Sequence, residues 1–345
     1  MQKAVYMTGL NQMEIRDIPV PTPQTGQVLV KLEYVGICGS DVHYLEHGKI
    51  GDFVVNGDFI LGHECAGTVA EVGPGVKNLK VGDRVALEPG ITCGQCKFCK
   101  TGRYNLCPNV EFLATPPYHG CLEQYIAFPE NMCFKLPDNI STREGALVEP
   151  LSVGSHAAKQ GKVTLGDRVV ILGAGCIGLV TLLACKAFGA SQVTVVDLIP
   201  KRLECAKKLG ASHVINGKEE DVLAAVKQIT EGEGADVVIE TAGSSTTVAQ
   251  TAEIVSTGGR VVLVGMAPED IIPYNFARLM AKEASIQTVF RYRNIYPQAI
   301  KAIAQGLIDV SGIVTHEFDF TDTPKAFDYV IHNKDDVIKA VIKIG

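Results

Sequence analysis

Arg168-Val169-Val170-Ile171-Leu172-Gly173-Ala174-Gly175-Cys176-Ile177-Gly178 decides the fold. A short apolar run rich in β-branched residues reads as a buried strand, and the glycines that follow form G-x-G-x-x-G at the start of a helix expected to reach about Phe188. Glycines at those positions permit a tight turn, close approach of the backbone to a pyrophosphate, and close packing of helix on strand. The helix N-terminus adds free N–H groups and a partial positive charge. Asp197 lies nineteen residues beyond Gly178, at the end of the next strand-like run, where a carboxylate can grip ribose hydroxyls. A carboxylate there opposes a 2′-phosphate, so NAD is expected over NADP, with Arg202 near enough to hydrogen-bond the ribose. Val169 to Cys185 is free of charge, but its glycines argue against a membrane span.

Outward from this stretch, apolar runs alternate with helical patterns. Gln192–Asp197, His213–Ile215, Asp236–Glu240, Arg260–Val264 and Ile286–Phe290 read as further strands. Repeated β-α units with continuous apolar strands predict a doubly wound parallel sheet, covered on both faces. Before about Glu149 the texture differs: Gln27–Leu32, Gly67–Val72 and Asp83–Leu87 alternate with period two between turn formers, which predicts an antiparallel, barrel-like domain. The expected division is therefore a domain of residues 1–150 and 291–345 around a dinucleotide-binding domain of 151–290. The tail contributes a helix over Tyr296–Gln305 and a strand over Ala340–Ile344.

Composition fits two packed domains: 345 residues, 46% hydrophobic and 20% charged. The net charge of −6 argues against a nucleic-acid surface. Met1 to Tyr6 is strand-like with no apolar signal core, and eleven cysteines is an odd number, so a disulfide framework is not expected and the cytoplasm is the expected compartment.

Four of those cysteines are bunched as Cys93, Cys96, Cys99 and Cys107 in a polar segment. Four thiolates at this spacing close a tetrahedral shell around zinc, which makes the site structural. A more dispersed set, Cys38, His63, Glu64 and Glu149, supplies a thiolate, an imidazole and carboxylates, the ligands of an open catalytic zinc. Cys65, Cys121, Cys133, Cys176, Cys185 and Cys205 read as small buried fillers, and His119 and His316 as structural or surface residues.

The chain resembles, over essentially its whole length, the zinc-dependent medium-chain dehydrogenases, and within them the polyol (sorbitol, xylitol and arabinitol) dehydrogenases. The carrying segments are Val35–Tyr44 (VGICGSDVHY), Gly62-His63-Glu64, the four-cysteine loop, Glu149–Gly154 (EPLSVG), the Gly173 fingerprint and Val289-Phe290-Arg291-Tyr292. The resemblance implies a Rossmann domain beside a GroES-like catalytic domain. It implies two zinc ions per chain, with Cys38 and His63 joined by Glu64 or Glu149 at the catalytic one. It adds Ile177, Val264, Gly265, Met266, Val289, Phe290 and Arg291 to the NAD contacts, and Tyr44, Glu149, Arg291 and Tyr292 to the polyol contacts. A homo-oligomer, tetramer or dimer, is implied through the coenzyme domains. The related alcohol dehydrogenases carry Cys where this chain has Glu149, which favours the polyol branch.

The expected reaction is NAD-dependent oxidation of a polyol to a ketose. Zinc as a Lewis acid lowers the pKa of the alcohol so that an alkoxide forms, and hydride passes to the nicotinamide. Ser40 and His43 offer a proton route to solvent, although His43 could instead only cap its helix. Asp41 can accept the second N–H of His63 or serve as a helix cap. The Phe290-Arg291 segment could serve the nicotinamide carboxamide rather than the polyol. Two rivals share these motifs: a dehydrogenase of a vicinal diol or amino alcohol (butanediol or threonine type), and a non-catalytic NAD-binding zinc protein. The second predicts a degraded catalytic shell, whereas Cys38, His63, Glu64 and Glu149 are all present.

Overall fold

The computed structural model describes all residues from Met1 to Gly345. The chain forms two compact units. One comprises Met1–Glu149, Tyr296–Gln305 and Val314–Gly345, and the other Pro150–Ile295 and Gly306–Ile313. The division by sequence differs at three places, the smallest being Pro150, which groups with the second unit. Residues 291–295 group with the second unit because they continue from its last strand and bury Tyr292 and Ile295. Gly306–Ile313 joins it too, where the Cys205 thiol lies 3.6 Å from the Gly312 carbonyl.

In the first unit the long strand Gln27–Ile37 is the hub of a seven-stranded sheet. It pairs antiparallel with Glu64–Val72, Tyr125–Pro129 and Ala340–Lys343, the last registering Ala340 against Ile37. Only the pair His316–Asp319 and Ala340–Lys343 runs parallel. Tyr125–Pro129 alternates between buried and partly covered positions, the period-two signature of a strand with one face on the core, whereas Val28–Val30 and Glu64–Gly67 are buried without a break. That core gathers Val28, Val30, Leu32, Val35, Phe128, Phe320 and Phe327 with Ile342. At Gly67 the strands approach so closely that a Cβ would lie 2.8 Å from the Leu32 Cα, which fixes glycine there. Short helices are capped by local chemistry: Ser141 and Glu144 exchange hydrogen bonds with each other's backbone N–H groups at 3.2 and 2.8 Å.

The second unit is a six-stranded, wholly parallel sheet. Its spatial order is His213–Asn216, Gln192–Asp197, Arg168–Leu172, Ala235–Glu240, Val255–Leu263 and Ser285–Thr288. In order of appearance this is 3-2-1-4-5-6, with the topological switch between the first and fourth strands. Strand Arg168–Leu172 sits centrally, and Val169 to Leu172 are all buried, which explains their unbroken apolar run. The helix that follows spans Cys176–Ala187. The sixth strand ends at Thr288, so Val289 and Phe290 lie beyond the sheet rather than in it. Cys176 and Cys205 are only partly covered, unlike the buried Cys65, Cys121, Cys133 and Cys185; both sit on helix surfaces. No helix is long and apolar enough to cross a membrane.

Candidate functional site

Two strand ends and a helix start gather one cluster of ligand atoms in the first unit. Cys38 follows strand Gln27–Ile37 and is the N-cap of helix Gly39–His47. His63 immediately precedes strand Glu64–Val72, whose first residue is Glu64. One ligand atom from each of Cys38, His63 and Glu64 lies within 4.8 Å of the other two. His63 and Glu64 are buried, with Glu64 1% exposed. Glu149 is buried in the first turn of helix Val148–Gln160. A thiolate, an imidazole and one carboxylate suit zinc, and three protein ligands leave a coordination position open.

Asp41 holds this cluster in shape. Its side chain is fully buried, accepting the Gly62 N–H at 2.9 Å and the Cys38 N–H at 3.0 Å, while Oδ1 lies 3.6 Å from His63 Nδ1. It closes the capping box from the third helical position, with Cys38 rather than Asp41 as the N-cap, and faces the imidazole beyond hydrogen-bond distance. Burial alone would raise its pKa, but His63 and the two backbone N–H groups hold the carboxyl below its ordinary value. For His63, burial opposes the charged form, yet Asp41 and Cys38 push its pKa well above 6.5. The negative charge of Asp41 beside the imidazole favours a cation at this cluster, a place that a metal suits.

Sequence reading missed Lys339, which is 3% exposed. Its ammonium forms an ion pair with Glu64 and donates a hydrogen bond to the Ile37 carbonyl at 2.9 Å. The available signal was a single charge inside the apolar run Val337-Ile338-Lys339-Ala340-Val341-Ile342, since a buried lysine requires a partner. Along helix Gly39–His47, Ser40 is partly covered and His43 is exposed, with its ring stacked on His47 at 4.4 Å between centroids. Tyr44 faces inward, 3% exposed and packed against Phe59.

The second cluster is the loop of Cys93, Cys96, Cys99 and Cys107, whose sulfurs all lie within 4.8 Å of one another. The Cys93 thiol is held down to about 6, chiefly by the backbone N–H of Gln95, whereas burial pushes Cys99 up to about 11. Four sulfurs this close repel one another once ionised unless a cation lies among them. Four thiols at these separations could hold a metal ion, and the donor set suits a tetrahedral zinc shell.

In the second unit the glycine-rich turn is built for a ligand. Gly173 adopts a positive φ of 105° and its Cβ would meet the Ala242 backbone at 2.9 Å, while Gly178 would clash with the Gly173 carbonyl. A Cβ at Gly175 would meet nothing within 4 Å, so the space it keeps clear lies outside the protein. Asp197 Oδ2 accepts the Ala174 N–H at 2.6 Å, and Oδ1 accepts those of Leu198 and Ile199 at 2.7 and 2.9 Å. Arg202 lies 4.0 Å from the same carboxylate. Glu240, which sequence reading missed, is fully buried; it accepts the N–H groups of Ala242 and Gly243 at 2.9 and 2.8 Å and thereby shapes the turn beside Gly173. Its own carbonyl accepts the N–H groups of Val264 and Gly265. Met266 and Phe290 are exposed, Val289 donates to the Leu263 carbonyl, Tyr292 is buried, and the Arg291 guanidinium lies 4.8 Å over the Phe290 ring.

A dinucleotide cradle in one unit and a Cys-His-Glu cluster in the other define an oxidoreductase acting on CH–OH donors. Comparison with known proteins narrows this. Residues 24–138 match the alcohol dehydrogenase GroES-like domain, and residues 176–305 the zinc-binding dehydrogenase family. The chain is 52% identical over 335 residues to an uncharacterized zinc-type alcohol dehydrogenase-like protein of Escherichia coli (strain K12), covering 96% of each. It is 45% identical to the sorbitol dehydrogenase of Bacillus subtilis (strain 168), over 99% of this chain and 96% of that one. It superposes at a TM-score of 0.96, with 49% identity and complete coverage of both chains, on an Escherichia coli oxidoreductase/dehydrogenase described as of unknown specificity and involved in membrane biogenesis. The protein belongs to the zinc-dependent medium-chain dehydrogenases, in their polyol branch, and uses zinc and a pyridine nucleotide.

Proposed function

We propose that the protein oxidises a polyol of the sorbitol or xylitol type to the corresponding ketose with NAD. The observation carrying this reading is the buried group of Cys38, His63 and Glu64 backed by Asp41, a donor set that fits zinc and leaves it a vacant position. Zinc there supplies Lewis acidity that makes an alcohol proton easier to remove, and the nicotinamide supplies the hydride acceptor. The residues do the rest. Asp41 keeps His63 in one orientation and tautomer. Ser40 and His43 carry the alcohol proton outward, for which the exposure of His43 is suitable. Tyr44, Glu149, Arg291 and Tyr292 hydrogen-bond the polyol chain, because many hydroxyls are discriminated by polar partners rather than by an apolar slot.

Support for NAD over NADP comes from Asp197, whose carboxylate is locked by three backbone N–H groups and would repel a 2′-phosphate. The four-cysteine loop is assigned a second, structural zinc. A homo-oligomer is supported by the open edge of strand Ser285–Thr288 and by the exposed Ile271, Phe276 and Met280 nearby in sequence. Eleven unpaired thiols suit a reducing compartment, and the cytoplasm is the proposed location. A steady-state screen of C4 to C6 polyols with NAD, with and without a chelator, tests the activity. Turnover confined to butanediol or threonine would replace the substrate class, and absence of NADH formation by zinc-replete protein would leave a non-catalytic binding protein.

A further inference from the structure

We infer that Lys339 is a positioning residue that governs how strongly Glu64 engages the metal, by holding one carboxylate oxygen away from it. The inference rests on the zinc reading above. Three observations converge. The Lys339 ammonium is buried and ion-paired to Glu64 Oε2. The same ammonium donates to the carbonyl of Ile37, the residue before Cys38, so one side chain joins the two strand ends that carry ligands. Space for the pair is reserved by Gly36, where a Cβ would collide with Glu64 Oε2 and lie 3.1 Å from the Lys339 Cε.

The electrostatic consequence follows from counting charges. A thiolate, a carboxylate and the Asp41 carboxylate behind His63 surround a divalent cation; each added unit of anionic donation lowers its power to activate an alcohol. A lysine on Glu64 withdraws part of that donation and keeps the carboxylate from clasping the metal through both oxygens. It also neutralises Glu64 before metal arrives, so metal binding competes with an existing ion pair. Removing the ammonium leaves an uncompensated buried carboxylate whose best remaining partner is the metal.

The test compares wild type with Lys339→Met, with Lys339→Gln, which can still donate to Ile37, and with Lys339→Arg. Both neutral variants should lose catalytic zinc to a chelator about tenfold more slowly than wild type. Their kcat should fall while the KM for NAD stays unchanged, and cobalt exchanged into the catalytic site should show weaker visible absorption as its coordination number rises. Lys339→Arg should restore all three readouts. Zinc release as fast as or faster than in wild type, with an unchanged cobalt spectrum, overturns the inference and leaves Lys339 a structural residue. A crystal structure of zinc-loaded wild type gives an answer even if the neutral variants do not fold. Lys339 on one oxygen of Glu64 with the metal on the other upholds the role, and Lys339 turned away from Glu64 ends it. Elemental analysis separates the two levels: wild type with zinc only among the four cysteines removes the catalytic-metal reading and this inference together, whereas two equivalents with unaltered release remove the inference alone.

Discussion

At the scale of single residues, the site depends on charges placed where water cannot reach them. If Asp197 grips the ribose as proposed, Asp197→Asn should raise the KM for NAD about tenfold and shrink the proposed preference over NADP, checked by steady-state kinetics with both coenzymes. Arg291→Ala should raise the KM for the polyol far more than that for NAD; an unchanged polyol value takes Arg291 off the substrate. Buried acids elsewhere give a pH signature. Burial pushes the Glu123 carboxyl up to about 8, against a partial offset from the Gln2 amide, and that of Glu88 up to about 7, offset by the Tyr104 hydroxyl. A raised folded-state pKa means that the folded chain binds more protons than the unfolded one between the ordinary value of 4.5 and the shifted one. These two groups therefore lose stabilisation as pH rises through that window. Glu123→Gln, which stays neutral, should raise Tm by about 3 °C at alkaline pH and change it little under acid conditions, as read by calorimetry.

Among the elements, the glycine-rich turn separates folding from binding. Gly175→Ala adds a Cβ that meets no protein atom within 4 Å, so the thermal stability of the coenzyme-free protein should hold while NAD affinity falls about tenfold. Gly178→Ala strikes the Gly173 carbonyl and should lower both, a contrast that titration and a melting curve reveal together. This turn was fully legible in sequence because its requirement is local: strand, three glycines and the acid all fall between Arg168 and Asp197. The central parallel strands Arg168–Leu172 and Gln192–Asp197 were legible for a related reason, as burial on both faces writes a near-continuous apolar run. The four-cysteine loop was equally local. Lys339 was not legible, because its partner Glu64 lies 275 residues away and only the return of strand Ala340–Lys343 to Gln27–Ile37 brings them together. Glu123 escaped for the same reason, with Gln2 121 residues away, whereas Glu240 has local partners and escaped because an acid in sequence looks solvated until the fold buries it.

For the whole molecule, the two proposed metal sites, which differ in burial and ligand number, should behave differently. Brief chelation should strip the three-ligand site first and abolish turnover with little change in Tm, whereas prolonged chelation that empties the four-thiolate loop should lower Tm; metal analysis alongside calorimetry follows both steps. The order of these segments along the chain carries one more consequence. The metal-site strands are made early, then the whole parallel sheet, and only afterwards the strand that closes the first sheet and delivers Lys339. All three ligands of the Cys38 cluster are therefore synthesised at least 275 residues before the lysine that pairs with Glu64, and that pairing has to wait for the last strand of the chain.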